Sequence, residues 1–211
     1  MMLSRRSFLA GLSAAAFHIA DGATDASAAE KKEVVRAAGA TLMEQGNRPE
    51  LKAYLQSNPV GFDRLWLRRP SGEEIIAVYR DYRYGLAIVP AQCLNLSYFW
   101  RDVNDRNVGV TVAVGLFDVL SRMQVSLSTM AGAPVPLILT SGFRTPEHNA
   151  KLEGAAVNSE HLNARASDLV APGFASAIVA NTGNILGAGG VGLYPNFTHI
   201  DVGQHGRRWK G

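Results

Sequence analysis

The chain has 211 residues, 47% hydrophobic and 18% charged, with 21 glycines and 9 prolines. Those proportions suit one compact domain and exclude a disordered tail, a collagen-like repeat, a coiled coil or a multi-pass membrane protein. Lys and Arg total 21 against 18 Asp and Glu, and the basic residues are scattered instead of interleaved with aromatics, so no nucleic-acid footprint is visible.

The first residues contain Ser4-Arg5-Arg6-Ser7-Phe8-Leu9, then an apolar stretch to about Ala20, then small residues through Ala29. This is the charged, apolar and small-residue order of an export signal. The arginine pair resembles the twin-arginine motif, whose translocase carries folded proteins across a bacterial inner membrane into the periplasm. The apolar stretch is about 13 residues, short of the roughly 20 that a spanning helix needs, so no stable membrane span is expected after cleavage. Residues 1–29 are therefore read as a removable signal and 30–211 as one domain. Export in the folded state permits a metal to be loaded beforehand. In an oxidising compartment the single cysteine, Cys93, is expected to be buried.

A helical preamble is expected over about 30–60, with Val34, Val35, Ala38 and Leu42 at helical spacing and a second short helix from Pro49 to Leu55. Residues 63–68 and 74–79 read as a hairpin around Pro70 to Gly72. Two helices follow, about 90–104 and 110–127, the second carrying Ala113, Leu116, Phe117, Leu120 and Met123 on one face. Val135 to Thr140 reads as a buried strand, and Thr145-Pro146 as the N-cap and first position of a helix. Ala166 to Val170 and Thr198 to Val202 are further strands, separated by a helix near 174–181 and a glycine-rich approach at 187–192. The balance is an α+β domain: a small, largely antiparallel sheet with helices packed on one face.

Chemistry must come from few groups. One cysteine excludes every zinc site built on two or more thiolates, which leaves His, Asp and Glu as ligands. Of five histidines, His18 leaves with the signal, while His161 and His199 sit beside strands with Asp168 and Asp201 nearby. Two imidazoles and a carboxylate are the donor set of a catalytic zinc, which keeps its fourth position for water. His199 and Asp201 are two apart on one strand and so project from the same face. Gly187 to Gly192 formally matches a dinucleotide fingerprint, but such a site needs the turn to open a helix, and here a strand is expected. No Gly-x-Ser-x-Gly elbow surrounds Ser141 or Ser159, so a serine nucleophile is not indicated.

Ser141-Gly-Phe-Arg-Thr-Pro-Glu-His-Asn149, Asn158-Ser-Glu-His-Leu-Asn-Ala-Arg-Ala-Ser-Asp168, Gly189-Gly-Val-Gly-Leu-Tyr-Pro195 and Phe197-Thr-His-Ile-Asp-Val-Gly203 resemble, in order, the signature blocks of the zinc D-alanyl-D-alanine peptidase family. The nearest branch is similar to the exported murein endopeptidases of Gram-negative bacteria. The resemblance implies a hedgehog/D-Ala-D-Ala-peptidase-like fold and one zinc ion per chain, held by His161, Asp168 and His199. It also implies hydrolysis of peptidoglycan stem peptides by a zinc-activated water, at cross-links between D-alanine and diaminopimelate. A D-Ala-D-Ala carboxypeptidase is the alternative activity, and a zinc-containing wall-peptide binding module the alternative without catalysis.

Arg144 matches the arginine that holds substrate near the zinc, and Ser159 and Tyr194 join it as substrate-binding or supporting groups. Two departures from the pattern stand out. Ala164 replaces a usual glycine, which costs stability if that position needs a positive φ. Many members of the wider family carry an acid three residues before the last zinc histidine, where this chain has Asn196. Asp201 is then the candidate catalytic base or, alternatively, the group that orients a ligand. His148 and His205 are weaker candidates, and Tyr194 and Trp209 could line a substrate groove, with packing the slightly favoured reading of either.

Overall fold

The computed structural model describes residues 62–82 and 87–211. The export signal and the helical preamble expected from the sequence lie outside these residues. In chain order the elements are β1 (Phe62–Arg68), β2 (Glu74–Asp81), β3 (Ala87–Ile88), α1 (Pro90–Phe99), α2 (Val114–Ala131), β4 (Leu137–Ser141), α3 (Pro146–Asn149), β5 (Ala166–Val170), α4 (Ser176–Ile185), β6 (Gly190–Leu193), β7 (Thr198–Asp201) and β8 (Arg207–Lys210). The strands form one eight-stranded sheet in the order β3-β2-β1-β4-β5-β7-β6-β8. Only β1 with β4 and β6 with β8 run parallel; every other neighbouring pair is antiparallel. The α+β reading therefore holds, with a mixed but mainly antiparallel sheet.

The hairpin forms where the sequence places it. Gly72 takes φ +90° in the turn, a conformation that glycine adopts without a Cβ clash, and its N–H donates to Arg69 O at 3.0 Å. Apolar residues alternate along β1 and β2, so Leu65, Leu67, Ile75, Ala77 and Tyr79 all fall on one face and are at most 1% exposed. Leu137, Leu139, Leu169, Val191 and Ile200 continue that face across the sheet and are buried. Helices α1, α2 and α4 cover it through Leu96, Phe99, Leu116, Phe117, Leu120, Met123, Leu127 and Val179. Burial of each large side chain contributes about 1.5–3 kcal/mol. Phe117 joins the layers, meeting Tyr79 edge-on at 5.7 Å and Trp100 at 5.4 Å.

Cys93 is buried, and burial pushes its thiol up to about 11. Gln124, also buried, supplies what no strand does: its Nε2 donates to Trp66 O and Val135 O, and its Oε1 accepts from Trp66 N–H. Both helices near the middle of the chain differ from their expected bounds. The helix expected to reach 104 stops at Phe99, because Asp102 bridges Val108 across a loop in which Arg106 and Asn107 take positive φ. The helix expected from 110 begins at Val114, because Val112 N–H donates to Ser97 Oγ and Ala113 N–H to Ala164 O, which holds the approach extended. Gly132 ends it in the left-handed region at φ +65°. Among the described residues no helix is long and apolar enough to cross a membrane.

The sheet face opposite the helices carries the polar groups. Register places Asp168 directly across from His199, and His199 in turn across from Gly192, so three neighbouring strands present consecutive positions there. An irregularity between Leu139 and Ser141 in β4 brings Ser141 opposite Asp168, and the Thr140 hydroxyl donates to Asp168 O at 3.0 Å.

Candidate metal centre

His161, Asp168 and His199 converge. Asp168 and His199 come from paired strands, while His161 is delivered by the loop that follows α3, and all three are at least 92% buried. Asp168 Oδ1 lies 3.1 Å from His161 Nε2 and 2.9 Å from His199 Nδ1, and those two nitrogens are 3.2 Å apart. No other cluster of this kind occurs among the described residues.

The outer hydrogen bonds fix the chemistry of the inner atoms. His161 Nδ1 lies 2.6 Å from Gly142 O. A carbonyl only accepts, so Nδ1 carries the proton and Nε2 turns a lone pair inward. His199 Nε2 lies 3.0 Å from Asp201 Oδ2, which assigns its proton in the same way and leaves a lone pair on Nδ1. Two imidazole lone pairs and a carboxylate oxygen thus point at one another with no proton to share. That arrangement is repulsive unless a positive charge, a metal cation or an added proton, sits among them. A tetrahedral zinc with bonds of about 2.0–2.1 Å holds its ligand atoms roughly 3.3 Å apart, close to the separations found here. The donor set therefore fits zinc.

Electrostatics agree with a site built to hold charge. Burial opposes the Asp168 carboxylate; with no cation present, a proton shared with the two imidazoles would outweigh it and hold the group well below the usual carboxylate range. Burial presses His161 down. Burial acts the same way on His199, yet the carboxylates of Asp168 and Asp201, one at each ring nitrogen, favour a second proton there when no cation is bound, and the net shift is upward. Asp168 Oδ2, turned away from the imidazoles, accepts from Arg144 Nη2, and Arg144 Nε donates to Ser141 Oγ at 3.0 Å.

The local scaffold explains how the loop is aimed. Gly142 presses on the fully buried Trp100; a Cβ there would lie 2.9 Å from the indole Cδ1 and 2.5 Å from Trp100 O. Trp100 Nε1 donates to Ala166 O and Ser167 Oγ on β5. The carbonyl that orients His161 is therefore fixed by core packing. Thr145 caps α3 as its sequence indicates, accepting from His148 N–H at 3.1 Å. Ala164 takes φ +51°, so its replacement of a glycine does carry backbone strain, of order 1 kcal/mol.

The remaining sequence candidates fall into place around this centre. Asp201 is fully buried beneath His199, and its Oδ1 accepts from Gly203 N–H at 2.8 Å and Arg207 Nη2 at 2.7 Å. Ser159 Oγ accepts from His161 N–H at 3.4 Å, within the loop. Tyr194 does not meet the three residues in a bonded contact; it stacks on Phe197 at 4.3 Å and accepts from Trp209 Nε1 at 3.0 Å. Trp209 is the aromatic beside the centre, its ring 5.1 Å from His199. Sequence reasoning weighed it as a groove wall but slightly favoured packing; the missing signal was Gly192, whose absent Cβ would lie 2.5 Å from the indole. His148 is held by Asp102 at 2.8 Å, His205 lies in the exposed turn before β8, and Asn196 is exposed. Gly190 to Gly192 belong to β6, so the apparent dinucleotide fingerprint opens a strand and no helix.

Comparison with known proteins bears on this geometry. The family described as "Peptidase_M15_2: Peptidoglycan L,D-endopeptidase MepK" matches residues 69–209. The peptidoglycan L,D-endopeptidase MepK of Escherichia coli (strain K12) is 34% identical over 145 residues, 66% of this chain and 75% of that protein. MepK of Shigella flexneri gives the same figures, 34% over 145 residues. The "Probable peptidoglycan L,D-endopeptidase MepK" of Haemophilus influenzae is 33% identical over 128 residues, 58% of this chain and 66% of that protein. No solved structure matches significantly.

Proposed function

Since the chain belongs to the Peptidase_M15_2 family of peptidoglycan endopeptidases, we propose that it is a one-zinc enzyme that cuts L,D peptide bonds in the cross-links between murein stem peptides. It is a metallopeptidase acting on peptidoglycan. The observation that carries the finer reading is the convergence of His161 Nε2, His199 Nδ1 and Asp168 Oδ1 within 2.9–3.2 Å, all three with lone pairs inward.

In this reading those three atoms hold the ion. When bound, zinc lowers the pKa of a coordinated water toward about 7 and polarises the scissile carbonyl. The chain's own residues then position and neutralise. Arg144 offsets the charge of Asp168 and turns its free guanidinium edge to the substrate, where a fork of donors suits a carboxylate or developing oxyanion. Of the two roles open to Asp201, the proposal takes orientation: a fully buried carboxylate committed to three donors holds the His199 ring and its tautomer. Ser159 steadies the loop of His161, and Trp209, with Tyr194 behind it, walls one side of the substrate groove.

The relatives' names shift one detail of the expected substrate. A bond between D-alanine and the D centre of diaminopimelate joins two D residues, whereas an L,D bond has its carbonyl on an L centre. The proposal follows the relatives. It also keeps the export route: a twin-arginine signal in residues 1–29, removed on delivery to the periplasm, where the polymer lies.

Incubation with purified muropeptide dimers of each linkage, with the products separated by chromatography, tests the reading. Conversion of L,D-linked dimers to monomers, with D,D-linked dimers intact, is expected. Release of single alanines would replace it with a carboxypeptidase, and inert protein carrying stoichiometric zinc with a binding module.

A further inference from the structure

We propose that Arg207 is a positioning residue for the metal centre, acting on His199 through Asp201; this rests on His161, Asp168 and His199 being a metal site. Each carboxylate near the centre has its own arginine. Asp168 pairs with Arg144, and Asp201 pairs with Arg207 at 2.7 Å. The second pair is the more buried on the acid side, since Asp201 is 0% exposed. Its Oδ2 receives the His199 N–H while Oδ1 is shared between Gly203 N–H and the guanidinium. Among the described residues Arg207 is thus the one cation in hydrogen-bonded contact with the carboxylate that sets the His199 tautomer, the tautomer that frees Nδ1 for the metal.

The same guanidinium reaches toward the other imidazole. Its Nη2 lies 3.8 Å from Glu160 Oε1, and Glu160 immediately precedes His161. Arg207 therefore ties strand β7 to the loop that delivers the third ligand. Two glycines make room for this group of charges, and neither adopts a positive φ. A Cβ at Gly203 would lie 2.6 Å from Arg207 Nη2 and 2.7 Å from Glu160 Cδ; one at Gly190 would lie 2.8 Å from Asp201 Cγ. Close approach, and no special turn, is what both positions require.

Removing Arg207 leaves a buried carboxylate with only His199 and Gly203 as donors, and its hold on the ring weakens. Supporting residues of this kind typically govern 10–100-fold in metal affinity. Zinc dissociation constants, measured on the full protein against a chromophoric chelator, test the proposal for wild type, Arg207→Gln, Arg207→Lys and Lys210→Gln. About 10–100-fold weaker binding is expected for Arg207→Gln, with most of the loss recovered in Arg207→Lys and none in Lys210→Gln. Excess zinc should restore the kcat of Arg207→Gln with KM unchanged, which a purely structural defect would not allow. Wild-type zinc affinity in folded Arg207→Gln overturns the proposal. If that variant fails to fold, Arg207→Met, which also removes the cation, decides in its place, and wild-type zinc affinity there overturns the proposal. Wild type that binds no zinc would instead remove the metal reading itself, a separate result.

Discussion

The two halves of the sheet are built on different principles. From β3 to β4 the buried face is Leu65, Leu67, Ile75, Tyr79, Leu137 and Leu139 against helices, and stability there comes from apolar area removed from water. From β5 to β8 the buried residues include Ser167, Asp168, Thr198, His199 and Asp201, with glycines at 190 and 192 where neighbouring side chains come too close for a Cβ. The first half tolerates substitutions that keep volume. In the second, a buried polar group without its partner costs more than the bond itself is worth, so geometry is over-determined. The difference teaches where function sits: the apolar half is a platform, and the polar half carries the candidate metal site, which the platform aims through Trp100 and Gly142.

Asp168→Asn attacks the polar half at its most committed point and should have the largest effect. Both oxygens are engaged, one with the imidazoles and one with Arg144, so a neutral amide leaves the guanidinium without its countercharge and the ion without its anionic ligand. A loss of at least about 1000-fold in dimer cleavage is expected, not restored by excess zinc, together with loss of stoichiometric metal on elemental analysis. Activity within tenfold of wild type would mean that the three residues are not the metal site.

Leu120→Ala makes the opposite cut. Leu120 is fully buried between α2 and the sheet, and its truncation should lower unfolding free energy by about 3 kcal/mol in denaturant titration. Zinc affinity of the folded protein should stay at the wild-type value. A tenfold change in that affinity would show that the two halves are coupled more tightly than their construction indicates.

This division also decides what the sequence could reveal. Apolar periodicity located β1, β2, β4 and β5, and the Thr145-Pro146 pair located the start of α3, because those signals are local. Asp168 and His199 could each be placed on a strand for the same reason, while the pairing of those strands is seen only in the fold. Strands β6 and β8 escaped: Gly190-Val-Gly-Leu193 and Arg207-Arg-Trp-Lys210 lack strand character, and their pairing joins segments that no local pattern relates. Their glycine and arginine are explained by Asp201, His199 and Trp209, which become neighbours only in the folded chain. The role of Asp201 was open for that reason too, since a same-face position cannot say which ring nitrogen it meets.

The smallest expected effect tests whether the strain at Ala164 matters to the candidate metal site. Returning this position to glycine relieves about 1 kcal/mol of left-handed strain at φ +51°. Against that stand the extra freedom glycine gives the unfolded chain, about 0.4–1 kcal/mol, and the loss of a methyl group that is 99% buried. The terms nearly cancel, so Ala164→Gly should change stability by no more than about 0.5 kcal/mol, a shift of about 2 °C or less in Tm by calorimetry. Zinc affinity should not move, because Gly142 O and Asp201 fix the two imidazoles whatever the loop residue. A gain above about 1.5 kcal/mol with tighter zinc would mean that strain reaches His161 through the carbonyl that accepts from Ala164 N–H, and that the site is less rigid than its hydrogen bonds suggest.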